Sequence, residues 1–272
     1  MHTNEDLLRI LSWQIAAGVD ETIGEGPVNR YKTAAPEPPG PAPVSPNAAV
    51  PPAMPRVDPP LKAAAETRED ARDRAGSATT LDELRAALEM FEGCPLKHTA
   101  MNLVFGDGNP EASVMLVGEA PGEEEDRRGL PFVGVSGKLL DRMLRWIGLD
   151  RSSFYITNVV YWRPPGNRHP TQAEITACLP FLRRHIEIVS PRLLVFVGGS
   201  AASALLGRAE GIGKLRGRWL NYESPGLAQP ILALATYHPA YLLRSPAQKR
   251  EAWRDLLMIK DKLQSLGVSH NT

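Results

Sequence analysis

The sequence predicts an α/β domain in its C-terminal two-thirds: a parallel sheet of about four strands between helices. Two observations predict it. Short, unbroken apolar runs alternate with segments of helical periodicity from about residue 113 onward. Strands buried on both faces read as such runs, and parallel strands need a crossover, usually a helix. The most unusual residues also cluster just after the runs, where open α/β sheets place their ligand sites.

The elements follow in order. Residues 62–93 form a helical lead-in. Within it Thr80-Leu-Asp-Glu83 is a capping box, with Leu81, Leu84 and Leu88 on one helix face. Residues 113–119 are the first strand and 136–149 a helix. Residues 154–161 are the second strand. Residues 171–189 are a helix opened by Thr171 and Glu174. Residues 193–198 are the third strand, followed by a short helix at 200–206. Residues 231–237 are the fourth strand. The last helix covers 246–266, with Ser245 as N-cap and Pro246 at its first position.

Ahead of the domain the composition changes. Residues 1–26 carry an amphipathic helix, with Leu7, Leu8, Leu11 and Ile15 at helical spacing and Ile10 and Trp13 beside them. Two readings stay open: a helix docked on the protein itself, or a docking peptide for a protein partner. Residues 27–61 are a Pro/Ala-rich linker. Between Pro36 and Pro60 the chain spends 11 of its 25 prolines, which removes backbone donors and favours an extended spacer. The domain proper is expected at 94–267 and a tail at 268–272.

Composition excludes several classes. The 31 basic and 31 acidic residues balance, so any nucleic-acid site is a local patch. Cys94 and Cys178 are too few for a disulfide framework and fit a reducing cytosol. No run approaches the roughly 20 apolar residues of a membrane span. The N-terminus, with Glu5 and Asp6, does not read as a secretory signal.

The chemistry collects at strand ends. The first strand ends in Gly118-Glu-Ala-Pro-Gly122. The second contains Asn158 and runs into Arg163-Pro-Pro-Gly-Asn-Arg168. The third ends in Gly198-Gly-Ser200, and the fourth in His238-Pro-Ala-Tyr-Leu-Leu-Arg244. This fold would bring a carboxylate, an amide and an imidazole to one rim. That set suits a pyrimidine such as uracil. An Asn amide pairs with N3–H and O4 together. A histidine donates to O2, where negative charge develops as the glycosidic bond breaks. Phe132 could stack on a base taken out of a duplex. Singly, each residue has a duller explanation as a turn, cap or loop residue. Their coincidence on successive strands is what points to a site.

With those residues in view, the segment from Cys94 to about Leu266 resembles the family 4 uracil-DNA glycosylases. The resemblance rests on Val104-Phe-Gly-Asp-Gly-Asn-Pro110, Val117-Gly-Glu-Ala-Pro-Gly122 with Glu125-Asp126, and Gly129-Leu-Pro-Phe-Val-Gly134. It continues through Tyr155-Ile-Thr-Asn-Val-Val160, Arg163-Pro-Pro-Gly-Asn-Arg168 and Thr236-Tyr-His-Pro-Ala-Tyr-Leu-Leu-Arg244. It implies a three-layer αβα sandwich around a central four-stranded parallel sheet. It implies a monofunctional enzyme that flips deoxyuridine out of DNA and hydrolyses its N-glycosidic bond, leaving an abasic site for base excision repair.

The resemblance also assigns roles. Glu119 would position water or act electrostatically, Asn158 would read the uracil edge, and His238 would stabilise the O2 anion. Ala120 stands where another branch of the superfamily carries an aspartate. Gly118, Ala120 and Phe132 would lie against the base, and Glu125 would wall off the C5-methyl of thymine. Leu242, Leu243 and Arg244 resemble the loop that enters the duplex. Pro121, Gly122, Arg163, Arg168, Arg244 and Lys249 are expected against the DNA, the basic ones on phosphates. The expected protein is a cytoplasmic, nucleoid-associated monomer whose partner is uracil-containing DNA.

One departure stands out. Family 4 members usually hold a [4Fe–4S] cluster through four cysteines. Here the corresponding positions read Phe91, Cys94, Trp162 and Cys178. Such a cluster needs four thiolates, so the expectation is no cofactor, with Cys94 and Cys178 vestigial. Nearby His98 and His185 leave another metal open. The competing function is a DNA-binding or scaffold protein of the same fold with reduced catalysis. A less similar rival is an α/β enzyme acting on a phosphorylated metabolite.

Overall fold

The computed structural model describes residues 61–267. The expected N-terminal helix, all but the last residue of the linker at 27–61, and the tail at 268–272 lie outside the described residues.

Four parallel strands form the centre of the sheet: β2 (Val114–Gly118), β3 (Tyr155–Asn158), β4 (Leu193–Val197) and β6 (Ile231–Thr236). Two antiparallel strands flank them, β1 (Asp107–Gly108) against β3 and β5 (Trp219–Tyr222) against β6. The expected four parallel strands are present, and the sheet extends to six in the order β1-β3-β2-β4-β6-β5. The edge strands are too short to show a pattern. Asp107–Gly108 has no periodicity, and in β5 only Leu220 and Tyr222 turn inward.

Side chains alternate across the sheet. Met115, Val117, Leu194, Phe196, Ala233 and Ala235 face one layer; Val114, Leu116, Leu193, Val195 and Leu234 face the other. The first layer contains α1 (Leu61–Ser77), α2 (Leu81–Glu89), α5 (Gln172–Val189) and α6 (Gly199–Leu206), through Ala71, Leu88, Phe181 and Ala202. The second contains α4 (Val135–Arg145) and α9 (Lys249–Ser265), through Leu140, Leu144, Leu256 and Ile259. The result is an αβα sandwich. The lead-in helices α1 and α2 belong to its core, since Ala75, Leu84, Leu88 and Phe91 join the same buried cluster as Phe196.

Caps fix the element ends where polar residues can reach. Thr80 with Glu83, and Thr171 with Glu174, each close a capping box. Other ends differ from expectation. Ser245 makes no side-chain cap; a 3₁₀ turn at Pro246–Gln248 intervenes and α9 starts at Lys249. The second strand stops at Asn158, and Val159 and Val160 instead donate to the carbonyls of Gly118 and Glu119. Two short helices were not legible: α3 (Glu123–Arg128) and α8 (Pro239–Arg244). Between α6 and β5 lies the one-turn α7 (Ile212–Leu215). No helix among the described residues is long and apolar enough to cross a membrane.

Candidate active site

β2 has β3 on one side and β4 on the other. The helices that follow β2 and β4 pack on opposite faces of the sheet. That arrangement opens a crevice beyond the carboxyl ends of the strands. The crevice is a cleft of about 810 Å³. Of the expected site residues it is lined by Glu119, Ala120, Pro121, Gly122, Glu125, Phe132, Asn158, Arg168, His238 and Arg244.

Asn158 ends β3, in register with Gly118 of β2. It is 1% exposed, and neither Oδ1 nor Nδ2 has a hydrogen-bond partner among the described residues. The protein leaves both atoms of the amide available, so it can offer one donor and one acceptor to a ligand with a matching edge. Gly118 makes the approach possible. A Cβ there would lie 2.4 Å from both Asn158 Oδ1 and the Phe132 ring.

Phe132 completes this floor with an unusual backbone. Its φ of 56° is left-handed, a conformation that costs a non-glycine residue about 1–2 kcal/mol. Two clamps hold it. Arg151 donates to the Phe132 carbonyl at 2.6 Å and the Pro131 carbonyl at 3.2 Å, while its guanidinium pairs with Asp107 and Asp141, both at 2.9 Å. Glu125 accepts from the amides of Val133 (2.9 Å) and Gly134 (2.8 Å) with one oxygen and from Gly122 (3.1 Å) with the other. Glu125 borders the cleft, but both its oxygens are engaged by backbone. It braces two loops while standing in the cleft lining, where the sequence placed a wall residue. Arg151, far from every motif, was missed; no local pattern marks it.

His238 caps α8. Its Nδ1 accepts the Ala240 amide at 3.1 Å, so the neutral ring carries its proton on Nε2. Burial, helped by Arg244, lowers its pKa against the opposing pull of Glu119 and Glu125. The result is a neutral imidazole presenting an N–H donor. Its ring centroid lies 5.7 Å from that of Phe132. Behind it Gly198 is left-handed (φ 107°), and a Cβ there would press on His238 Cβ at 3.1 Å.

Glu119 lies at the end of β2 with its side chain 22% exposed. Its Oε1 is 2.5 Å from Nδ1 of His169, a residue outside the expected set. His169 directly follows the Arg-Pro-Pro-Gly-Asn-Arg segment, and that adjacency was the one available signal.

The expected DNA-facing residues divide. Leu242 is fully buried with Leu139 and Ala252. It cannot enter a duplex without unpacking α8, which corrects that assignment. Leu243, 41% exposed, and Tyr241, 37% exposed, are the outward apolar residues of α8. Arg168 forms a fork on Glu174 at 2.7 and 2.9 Å, and Arg163 bonds Asn167 at 2.7 Å. Arg163 also pairs with Glu123 at 3.6 Å, and Arg168, its side chain 43% exposed, still lines the cleft. Arg244 and Lys249 are exposed and make no ion pair among the described residues.

Phe91, Cys94, Trp162 and Cys178, the positions the resemblance compares with cluster ligands, lie in one buried core. Cys94 and Cys178 are fully buried free thiols with sulfurs 3.8 Å apart. The Cys94 partner and burial push the Cys178 thiol well above the usual range. Phe91 and Trp162 belong to the same apolar cluster, with Phe91 5.0 Å from Phe181. Two thiols and two aromatic side chains do not fit a cluster that needs four thiolates. The two histidines do not supply the deficit. His185 uses both ring nitrogens on Tyr161 (3.1 Å) and Tyr155 (3.0 Å), and His98 is exposed beside Glu92.

A family model described as the uracil DNA glycosylase superfamily matches residues 105–257. The type-4 uracil-DNA glycosylase of Saccharolobus solfataricus is 40% identical over 194 residues, spanning 70% of this chain and 89% of that protein. That of Pyrobaculum aerophilum is 41% identical over 182 residues, covering 65% of this chain and 92% of its own length. That of Thermotoga maritima is 44% identical over 156 residues, covering 56% and 77% respectively.

Proposed function

The chain belongs to the uracil-DNA glycosylase superfamily, and we propose that it hydrolyses the N-glycosidic bond of deoxyuridine in DNA, releasing uracil and leaving an abasic site for repair. The observation that carries the reading is the buried, unpartnered amide of Asn158 on the cleft floor.

The roles follow from the chemistry. An extruded uracil enters the cleft and stacks on Phe132. Asn158 accepts from N3–H and donates to O4, ending the desolvation cost its amide otherwise carries. His238 donates Nε2–H to O2. As the C1′–N1 bond lengthens, its electron pair moves into the ring and O2 becomes anionic, so this donor tightens in the transition state. A neutral donor is suited to that task, because it need not be deprotonated or recharged during the reaction. Glu119 offsets the cationic sugar and orients the water that attacks C1′. Among the described residues no lysine lines the cleft, which supports simple hydrolysis without a Schiff base or strand cleavage. Arg244 and Lys249 serve the phosphates, and Leu243 and Tyr241 meet the displaced strand.

On this reading the enzyme works as a monomer in the cytoplasm on nucleoid DNA. The 62–93 lead-in and the 94–267 domain together act as the catalytic unit. No iron–sulfur cluster is required; Phe91 and Trp162 replace it with apolar packing. Iron and sulfide analysis of anaerobic preparations should find neither in stoichiometric amount, and stoichiometric iron with sulfide would refute this point.

The function itself is tested with a uracil-containing oligonucleotide. Alkali-labile sites should form at uracil and not at thymine. Removing a preorganised donor costs about 10²–10³ in rate, so His238→Ala should slow product formation accordingly. Product no greater with the parent protein than with His238→Ala would contradict the assignment.

A further inference from the structure

One cleft residue outside that mechanism touches it directly. Oε1 of Glu119 sits 2.5 Å from His169 Nδ1, and no other hydrogen bond reaches the Glu119 carboxylate among the described residues. We propose that His169 is a positioning residue for Glu119: it pins Oε1 and leaves Oε2 turned to the water that attacks the sugar. The inference rests on the reading of Glu119 given above.

The geometry has three parts. The first is the tautomer. A carboxylate can only accept, so Nδ1 of His169 carries the proton, whether the ring is neutral or protonated. This is the opposite tautomer from His238, whose Nδ1 accepts a backbone amide. The two imidazoles of one cleft are thus fixed in different roles, one offering Nε2–H inward and the other Nδ1–H to a carboxylate.

The second part is the loop. His169 lies between Arg168, forked onto Glu174, and Thr171, whose amide donates to the same Glu174 carboxylate at 2.7 Å. Glu174 is 4% exposed and part of the capping box of α5. The backbone on both sides of His169 is therefore anchored to a rigid helix end. Arg163 bonding Asn167 ties the preceding turn.

The third part is exposure. The His169 side chain is 88% exposed, so it contributes nothing to the core. Its only protein contact through a polar atom is Glu119. A carboxylate on a flexible Glu side chain must give up rotamer freedom to hold a water in line with C1′. A charge-assisted hydrogen bond from an anchored loop removes that freedom in advance.

The test is single-turnover uracil release on a uracil-containing duplex, giving a maximal rate and a half-saturating enzyme concentration. Misplacement of a catalytic group typically costs one to two orders of magnitude, so His169→Ala should lower the maximal rate about 10-fold and leave half-saturation and thermal stability nearly unchanged. His169→Asn, whose amide nitrogen can replace Nδ1–H, should recover most of the rate. In a Glu119→Ala background, His169→Ala should cost nothing further. If Glu119→Ala slows release but His169→Ala does not, the positioning role is wrong and the Glu119 reading stands. If Glu119→Ala itself leaves the rate unchanged, the Glu119 reading fails first. A raised half-saturation with an unchanged maximal rate would make His169 a DNA contact and overturn the proposal.

Discussion

Phe132 carries the clearest local cost in the site. Its left-handed backbone is held by hydrogen bonds from Arg151 to the carbonyls on either side of the Pro131–Phe132 link. Asp107 and Asp141 keep the guanidinium in place and are themselves about one-third exposed, so they can rehydrate if it is lost. Arg151→Met should therefore cost only about 1–3 kcal/mol of stability. Its larger effect should be on uracil release, because Phe132 would relax out of its stacking position. Chemical denaturation and single-turnover rates measure the two separately; an unchanged rate would show that Arg151 does not position Phe132. At this scale the sequence was informative for residues inside motifs and uninformative for their supports. Asn158 and His238 were visible because they lie at strand ends, and Phe132 because it sits in the Gly129–Gly134 motif. Arg151 and the bracing role of Glu125 were not, because each acts through backbone groups that only the folded chain brings near.

Elements position the site through register. Gly118 of β2 lies opposite Asn158 of β3, and the missing side chain is what lets the amide meet Phe132. Gly118→Ala should leave the sheet intact but displace Asn158 or Phe132, since a Cβ at 2.4 Å from both has no room. Uracil release should fall by at least 10-fold, a typical consequence of misplacing a reacting partner by about 1 Å, while far-UV circular dichroism is retained. Full activity would show the contact to be irrelevant. The long elements were legible because their apolar runs and capping boxes are long enough to repeat. The six-residue helices α3 and α8 were not. That failure explains Leu242: in Tyr241-Leu242-Leu243 an extended loop would expose all three, whereas α8 turns Leu242 into the core and its neighbours outward.

For the whole molecule, the buried layer that holds Cys94, Cys178 and His185 sets a pH dependence. His185 is fully buried, and desolvation drives its pKa from 6.5 down to about 3. Between those values the unfolded chain binds one more proton than the folded one. Stability must then fall as pH drops below about 6.5, by about 2 kcal/mol between pH 7 and pH 5 from this group alone. His185→Gln keeps a donor and an acceptor for the two tyrosines without titrating. The difference in unfolding free energy between parent and variant should therefore shrink by about that amount toward pH 5. A difference independent of pH would mean that His185 is not held neutral. The sequence shows directly that the chain has only two cysteines. What packs around them, Phe91 against Phe181 beside two touching thiols, required the packed core.

The central claim is that the buried amide of Asn158 is the reader of uracil. Its most direct test is the parallel measurement of uracil release and stability in Asn158→Leu. Leucine has the same branched skeleton of side-chain heavy atoms and no polar atoms to satisfy, so melting temperature should not fall. Uracil release should fall by about 10² or more, as two directed hydrogen bonds to the base edge are lost. Release at the parent rate would contradict the account.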